Sequence, residues 1–316
     1  MNLTPLIKTC VALLALNLSG IALAAGESWT SDFAAAQKEA AESKKDLLID
    51  FTGSDWCSQC LALHKEVLDQ EPFKMLVKDK FVLVELDYPR DKTKLTEATL
   101  KQNEELGKKY PTTGFPTILL CDPGGKPFGV VGGYEPGVAD KYLPQLGEML
   151  GMKARRNEAL EAASKSEGVE KAKILVGLLR EMDLTDGMVE NFYGDVVAQI
   201  KASDPQDETG FTKAAAMKLR IDGIRKEFHS FIEVRDFDGG IAVLDKALKD
   251  GDLPKDDIQQ IMMTRGLVFG DQKKYDEAIK ALDEAKAFNL ESPYVKNMDA
   301  AKQRILEAKA KAAAGQ

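Results

Sequence analysis

Two cysteines three residues apart, Cys57 and Cys60 in SDWCSQC, are the side chains best able to do chemistry in this chain. A C-x-x-C pair has three readings: a redox dithiol, half of a zinc site, or coincidence. The apolar run DLLIDF ends at Phe51, and Leu61, Leu63 and Leu68 follow at helical spacing, so Cys57 should open a helix directly after a strand and a loop. A helix N-terminus offers unpaired N–H groups and a partial positive charge. Cysteines placed this way have pKa values of roughly 3.5–7.5 instead of about 8.5. Such a first cysteine attacks a disulfide, and a second, one turn on, resolves the mixed disulfide. This chemistry needs no cofactor. Zinc would need two further ligands. Beyond the N-terminal 24 residues, Cys121, His64 and His229 are the only other Cys or His, with no second C-x-x-C and no H-x-x-x-H, so no metal is expected. His64 lies seven residues past Cys57, ~10 Å along a helix axis. That is too far for proton transfer with Cys57, and His64 is expected on the helix surface. His229 has no motif around it.

The elements that must position this pair are legible around it. Strands are expected at 46–51, 81–87, 116–121 and 127–133, and the continuously apolar character of the first three suggests a sheet covered on both faces. DPGGK at 122–126 makes the last two a hairpin with an antiparallel edge. Helical patterns occupy 31–44, with Ser31 as a possible cap, then 57–68, 95–109 and 137–150. A helix between successive strands predicts crossovers and parallel pairing.

The first 24 residues read as a secretory leader: Lys8, an apolar run of about 15 residues, shorter than the ~20 that span a bilayer, and an A-x-A site at Ala22–Ala24. Cleavage is expected after Ala24, removing Cys10 and leaving a soluble, exported chain, periplasmic or extracellular. The 316-residue chain carries a formal charge of −8, and loss of Lys8 makes it more negative. Net charge thus argues against nucleic acid as a partner. The three remaining cysteines, Cys57, Cys60 and Cys121, are too few for a disulfide-stapled scaffold.

Composition shifts near residue 151, after which strand signals stop and Ala, Lys, Glu and Leu dominate. The expected division is 1–24 leader, 25–151 α/β domain and 152–316 all-helical domain. Within the last, RDFDGGIAVLDKAL (235–248) aligns with KKYDEAIKALDEAK (273–286) at an offset of 38. Gly266, Phe269, Ala278, Leu282 and Ala285 resemble the small-and-large spacing of a tetratricopeptide repeat. The preceding unit departs from it, with Phe228 where a small residue is expected and Gly240 in place of the alanine. An irregular helical bundle is the alternative.

Together, LLIDFTGSDWCSQC, GFPTILL and GGY resemble the thioredoxin superfamily, and more narrowly the exported thioredoxin-like proteins carrying D-F-T-G-S-D-W-C-x-x-C, over about residues 29–151. The resemblance implies an α/β thioredoxin fold, a mixed central sheet flanked by helices. It makes Cys57 the nucleophile, Cys60 the resolving cysteine and Trp56 the flanking tryptophan. Pro116 would be the family's cis-proline lying against the dithiol, and the Phe115 backbone would hydrogen-bond an extended substrate. Asp50 would be the buried carboxylate that accepts the resolving thiol's proton, a task suited to the raised pKa of a buried acid. The match leaves one extra residue between Asp50 and Cys57. Ser58 and Gln59 stand where thioredoxins have Gly-Pro and more oxidising relatives Gly-His or Pro-His. They tune thiolate stability, so the redox direction stays open. The stretch 88–113 is longer than in small thioredoxins and could shape a substrate groove. Cys121 ends a core strand as a small buried hydrophobe.

These readings lead to an exposed redox dithiol in a secreted thiol–disulfide oxidoreductase, a reductase or isomerase of protein disulfides. It would need a membrane or periplasmic redox partner, with the helical domain holding a protein partner or a second subunit. The alternative is an interaction or chaperone-like scaffold acting through the helical half, with the dithiol accessory or vestigial.

Overall fold

The structure, a computed structural model, describes residues 29–314. The expected leader, with Cys10 and its cleavage site, lies outside the described residues. The apolar runs form β1 (Asp46–Thr52), β2 (Phe81–Asp87), β3 (Thr117–Cys121) and β4 (Pro127–Gly132), in the order β2-β1-β3-β4. β1 and β2 are parallel, whereas β3 is antiparallel to both β1 and β4. The parallel pairing expected between successive strands therefore fails at β3. The cause is α4 (Glu97–Lys109), which carries the chain down the sheet. Asn103 Nδ2 bonds Asp87 O at the C-terminal end of β2, and Tyr110 Oη bonds Gly125 O at the far end. Residues 111–116 then return to the end where β2 stopped.

Three more helices complete the α/β part: α1 (Phe33–Ser43), α2 (Ser58–Leu63), which runs into a π-helical turn at His64–Leu68, and α3 (Glu71–Val77), not foreseen in the sequence. A fourth, α5 (Ala139–Leu150), follows β4. The N-cap of α1 is Asp32, whose Oδ1 accepts the Ala35 N–H at 2.9 Å, and not Ser31. The period-two alternation of β1 assigns the two faces. Leu47, Ile49 and Phe51 join Phe33, Ala36 and Ala40 of α1 and Leu106 of α4 in one apolar cluster. Leu48, Asp50 and Thr52 point to the other face. Both faces are covered, which explains the unbroken apolar runs.

The chain divides into two compact units at Ser203/Asp204, not at the compositional shift near 151. Composition follows secondary structure, whereas the division follows packing. Three helices, α6 (Met152–Ser164), α7 (Gly168–Met182) and α8 (Asp186–Ser203), belong with the sheet. Lys153 pairs with Asp46 at 2.6 Å, Arg156 with Asp122 at 3.3 Å, and Tyr193 Oη donates to Pro127 O at 2.6 Å. Phe192 stacks on Tyr110 with centroids 5.0 Å apart. All four anchors lie at the end of the sheet where β1 begins and β3 finishes.

The second unit consists of α9 (Phe211–Glu233), α10 (Phe237–Asp250), α11 (Lys255–Asp271), α12 (Tyr275–Phe288) and α13 (Val295–Ala313). The repeated segments are α10 and α12. A Cβ on Gly266 of α11 would stand 3.0 Å from Leu282 Cγ and 3.3 Å from the Ala278 carbonyl oxygen. One repeat earlier the sizes are exchanged: Phe228 of α9 lies over Gly240 of α10, 3.3 Å from where a Cβ would be. The departures at these two positions thus compensate each other, a large side chain being received by a glycine. No helix among the described residues is long and apolar enough to cross a membrane.

Gly266→Val should destabilise the second unit by about 1–3 kcal/mol through overpacking. Gly223→Ala, in α9 with nothing within 4 Å of its would-be Cβ, should stabilise it by about 0.5–1 kcal/mol. Urea denaturation of the two variants checks the pair, and equal shifts would contradict this account of the packing.

Candidate active site

The loop after β1 is built as a clamp. Asp87, at the end of β2, accepts the Ser54 N–H and Oγ–H at 2.8 and 2.7 Å. Asp55 accepts the backbone N–H groups of Arg90 and Asp91 at 2.8 and 3.0 Å, and these donors hold its carboxyl down at about 2. Trp56 Nε1 donates to Tyr88 O at 2.8 Å, and its indole lies so close to Gly53 that a Cβ there would be 2.5 Å from Cε2. Each residue of Gly53-Ser54-Asp55-Trp56 is therefore explained by fixing the loop that delivers Cys57. The clamp holds the start of the 88–113 stretch, expected to shape a groove, through Tyr88, Arg90 and Asp91. Trp56 is 37% exposed, with Arg90 over its ring at 5.7 Å and the Phe115 ring edge-on at 5.5 Å.

Cys57 is the N-cap of α2 and is joined to Cys60 in a disulfide. Its Sγ also accepts the Cys60 N–H at 3.2 Å, one of the helix-end donors that would stabilise a thiolate there. The sequence led us to expect an exposed pair. Instead Cys57 is 5% and Cys60 1% accessible, because the Cys57 side chain folds back onto its own helix. Ser58 and Gln59 are the exposed members of the tetrapeptide. Phe115 is half-buried and Pro116 buried, with a cis peptide bond between them, and the Phe115 ring meets Trp56, the residue before Cys57.

Beneath the pair lies a polar cluster. Asp50 is fully buried on the face of β1 that meets α2. Cys60 and His64 are one turn apart and share a helix face, the His64 N–H bonding back to Cys60 O. The π-helical turn begins at His64, with the Asp69 N–H bonded to His64 O at 2.9 Å. Within it, His64 Nε2 sits 2.7 Å from Asp50 Oδ2. His64 is thus not the surface histidine expected. Its distance from Cys57 says nothing of this partner, a buried carboxylate that could not remain unpaired cheaply. Trp29 covers the ring at 5.8 Å and stacks on Phe73 of α3. Glu85 Oε2 lies 3.9 Å from the same Nε2, and Asp69 Oδ1 3.9 Å from Nδ1.

Burial raises the Asp50 pKa above 3.8 despite its bond to His64. Burial alone would lower His64, but the hydrogen bond and charge of Asp50, with Glu85 and Asp69, raise it above 6.5. Burial also raises Glu85. Asp50 Oδ1 has no hydrogen-bond partner, and neither does the Tyr142 hydroxyl of α5. Asp50, His64 and Glu85 offer atoms within 4.8 Å of one another. The 2.7 Å approach of Nε2 to Oδ2 is hydrogen-bond geometry, however, and that nitrogen is already engaged. Cys121 is fully buried on the opposite face of the sheet, its thiol pushed well up by desolvation. His229 is exposed in α9, away from any such cluster.

Comparison with known proteins agrees with this geometry. Residues 33–147 match the thioredoxin-like domain family model. A disulfide bond reductase, DsbH of Chlamydia pneumoniae, is 32% identical over 123 residues, 39% of this chain and 72% of that protein. The chain belongs to the thioredoxin-like family. The thioredoxin-related protein DsbJ of the same organism is 33% identical over 117 residues, but the match spans only 33% of its length. A solved structure described as DsbH oxidoreductase is 29% identical over 40% of this chain and 86% of its own, with a TM-score of 0.37. The oxidised C-terminal domain of Neisseria meningitidis DsbD is 21% identical over 38% and 98%, with a TM-score of 0.29. The thioredoxin-like domain and its Cys57–Cys60 pair make the chain a thiol–disulfide oxidoreductase.

The fold holds the Asp50 proton more tightly than the unfolded chain, whose carboxyl releases it near 3.8. His64 likewise keeps its proton past 6.5 in the fold. Both contributions are present at low pH and are lost as pH rises through the folded values. Asp50→Asn removes the titrating carboxyl and the charge that raises His64, so the Tm of the variant minus that of wild type should rise from about pH 4 to pH 8 in calorimetry. A constant gap would contradict the assignment.

Proposed function

We propose that this is an exported reductase or isomerase of protein disulfides acting through a mixed-disulfide intermediate. The observation that carries the reading is the Cys57–Cys60 pair at the start of α2, with Asp50 under the face that bears Cys60. In the reducing direction the Cys57 thiolate attacks a substrate disulfide, forming one S–S bond and releasing one substrate thiolate, which takes a proton from solvent. Asp50 Oδ1, free of other partners, accepts the Cys60 proton. The Cys60 thiolate then attacks Cys57 Sγ, closing the Cys57–Cys60 bond and releasing the second substrate thiolate, which also takes a proton from solvent. Two electrons pass to the substrate, and a redox partner must return the disulfide to the dithiol.

Trp56 and Phe115 are the surface offered to substrate, with the buried cis-Pro116 orienting the Phe115 backbone that would bond an extended chain. Ser58 and Gln59, exposed beside the sulfurs, tune the potential. Export rests on the leader sequence, and a membrane or periplasmic electron donor would follow from it. In the helical unit, exposed Leu219, Val234 and Leu290 support binding of a protein partner or a second subunit. The reading of that unit as tetratricopeptide-like is supported by the paired helices and the exchange of sizes at Phe228 and Gly240.

In the insulin assay with dithiothreitol, wild type should accelerate turbidity and Cys57→Ser should fall to the uncatalysed rate. Cys60→Ser should accumulate a mixed disulfide, read by mass spectrometry. A couple near about −270 mV would fit a reductant, and one near about −120 mV would overturn the reductase reading in favour of an oxidase. Equal turbidity rates for wild type and Cys57→Ser would leave the scaffold function of the helical unit as the better reading.

A further inference from the structure

Asp50 can accept a proton, but it is sealed from water, and a base that cannot discharge its proton works once. The surroundings of Asp50 show one outlet. Accessibility of the side chains rises stepwise away from it: 0% for Asp50, 21% for His64, 38% for Glu85 and 61% for Asp69. The two nitrogens of His64 face different environments. Nε2 meets the buried Asp50 Oδ2 at 2.7 Å, and Nδ1 looks toward the exposed Asp69 at 3.9 Å. Glu85 lies 3.9 Å from Nε2 and adds a second carboxylate able to hold positive charge on the ring. The remaining charged or titratable groups near Asp50 are Asp87, whose oxygens are occupied by Ser54, and the Tyr142 hydroxyl on α5. Neither gives Asp50 a route outward: Asp87 is already engaged and the Tyr142 hydroxyl is buried without a partner. Trp29 closes the remaining side of the ring.

We propose that His64 is a positioning residue that acts through Asp50 as a two-sided proton relay, passing the proton of the resolving thiol from Asp50 to solvent at Nδ1. The proposal rests on the oxidoreductase reading above. In the reducing direction the Cys60 proton goes to Asp50 Oδ1. As it arrives, the carboxyl passes the proton held on Oδ2 to Nε2, so Asp50 carries one proton before and after, and the resulting imidazolium loses one from Nδ1 to water beside Asp69. Rotation of the ring or exchange of its tautomer resets the relay. In the oxidising direction the same steps run backward and return a proton to Cys60. No electron passes through His64, and every proton that leaves the dithiol appears in solvent. Imidazole suits the task because its two nitrogens can bind and release at opposite edges near neutral pH.

The test uses the full chain. A mixed disulfide between Cys57 and glutathione is formed, and its resolution by Cys60 is followed by quenched-flow mass spectrometry from pH 5 to 9. Wild type should show an inflection at the pKa of His64. That pKa is measured independently by NMR on the imidazole Cε1–H, since the sequence has only two histidines and exposed His229 serves as the internal control. His64→Gln, which can still hydrogen-bond Asp50 but cannot titrate, should lose the inflection and resolve about tenfold more slowly, the low side of a general acid–base effect. A His64→Gln profile that matches wild type in rate and shape overturns the relay while wild-type insulin reduction leaves the oxidoreductase reading intact. Failure of wild type to resolve the mixed disulfide at any pH overturns both. Because His64→Gln could misfold, the wild-type NMR titration provides a second check. The His64 pKa should change between disulfide and dithiol forms, and that change should vanish in Asp50→Asn. A redox-independent His64 pKa in wild type also overturns the proposal.

Discussion

A carboxyl group buried at the end of the central strand constrains everything around it. Ile49 and Phe51, the neighbours of Asp50 in the strand, pack into the apolar cluster on the other face. Keeping Asp50 buried requires a partner, and His64 supplies one from the π-helical turn that follows the dithiol. A regular helix would not have to widen there. The widened turn, the inward histidine and the tryptophan that closes over it are therefore parts of one arrangement.

The loop between β1 and α2 solves a different problem, how to hold two sulfurs still at the end of a sheet. Ser54, Asp55 and Trp56 each bind the segment that leaves β2, so the two parallel strands are tied together just past their ends. The charge on Asp55 is satisfied mainly by backbone N–H groups, which are fixed in direction and cannot swing away as a lysine can. Residues that read in the sequence as flanking letters of a redox motif thus serve the backbone before they serve a substrate.

Much of this was legible beforehand, because local signals carried it. The strand runs, the helix opening at Cys57 and the burial of Cys121 all follow from apolar spacing and residue type. The antiparallel entry of β3 did not, since it depends on where α4 and the residues after it return the chain. Neither did the docking of α6 to α8 on the sheet. Its anchors, Asp46, Asp122 and Pro127, carry no pattern that points to partners 30 to 110 positions away. His64 was misread for a related reason: sequence distance was measured to Cys57, while its partner stood fourteen residues back on a strand. Phe228 and Gly240 looked like two faults in a repeat and are one compensated contact.

The placement of Cys121 has a consequence for the electron capacity of the chain. β3 runs from Thr117 to Cys121, ~13 Å along the strand, and Cys121 lies on the face that packs against α1. A third thiol within reach could exchange into the pair and lock it as the wrong disulfide. Sealed in the core and far from ionisation, Cys121 cannot enter that exchange. Burial of Cys121 thus leaves the described cysteines one pairing, Cys57 with Cys60, and a two-electron change between its two forms.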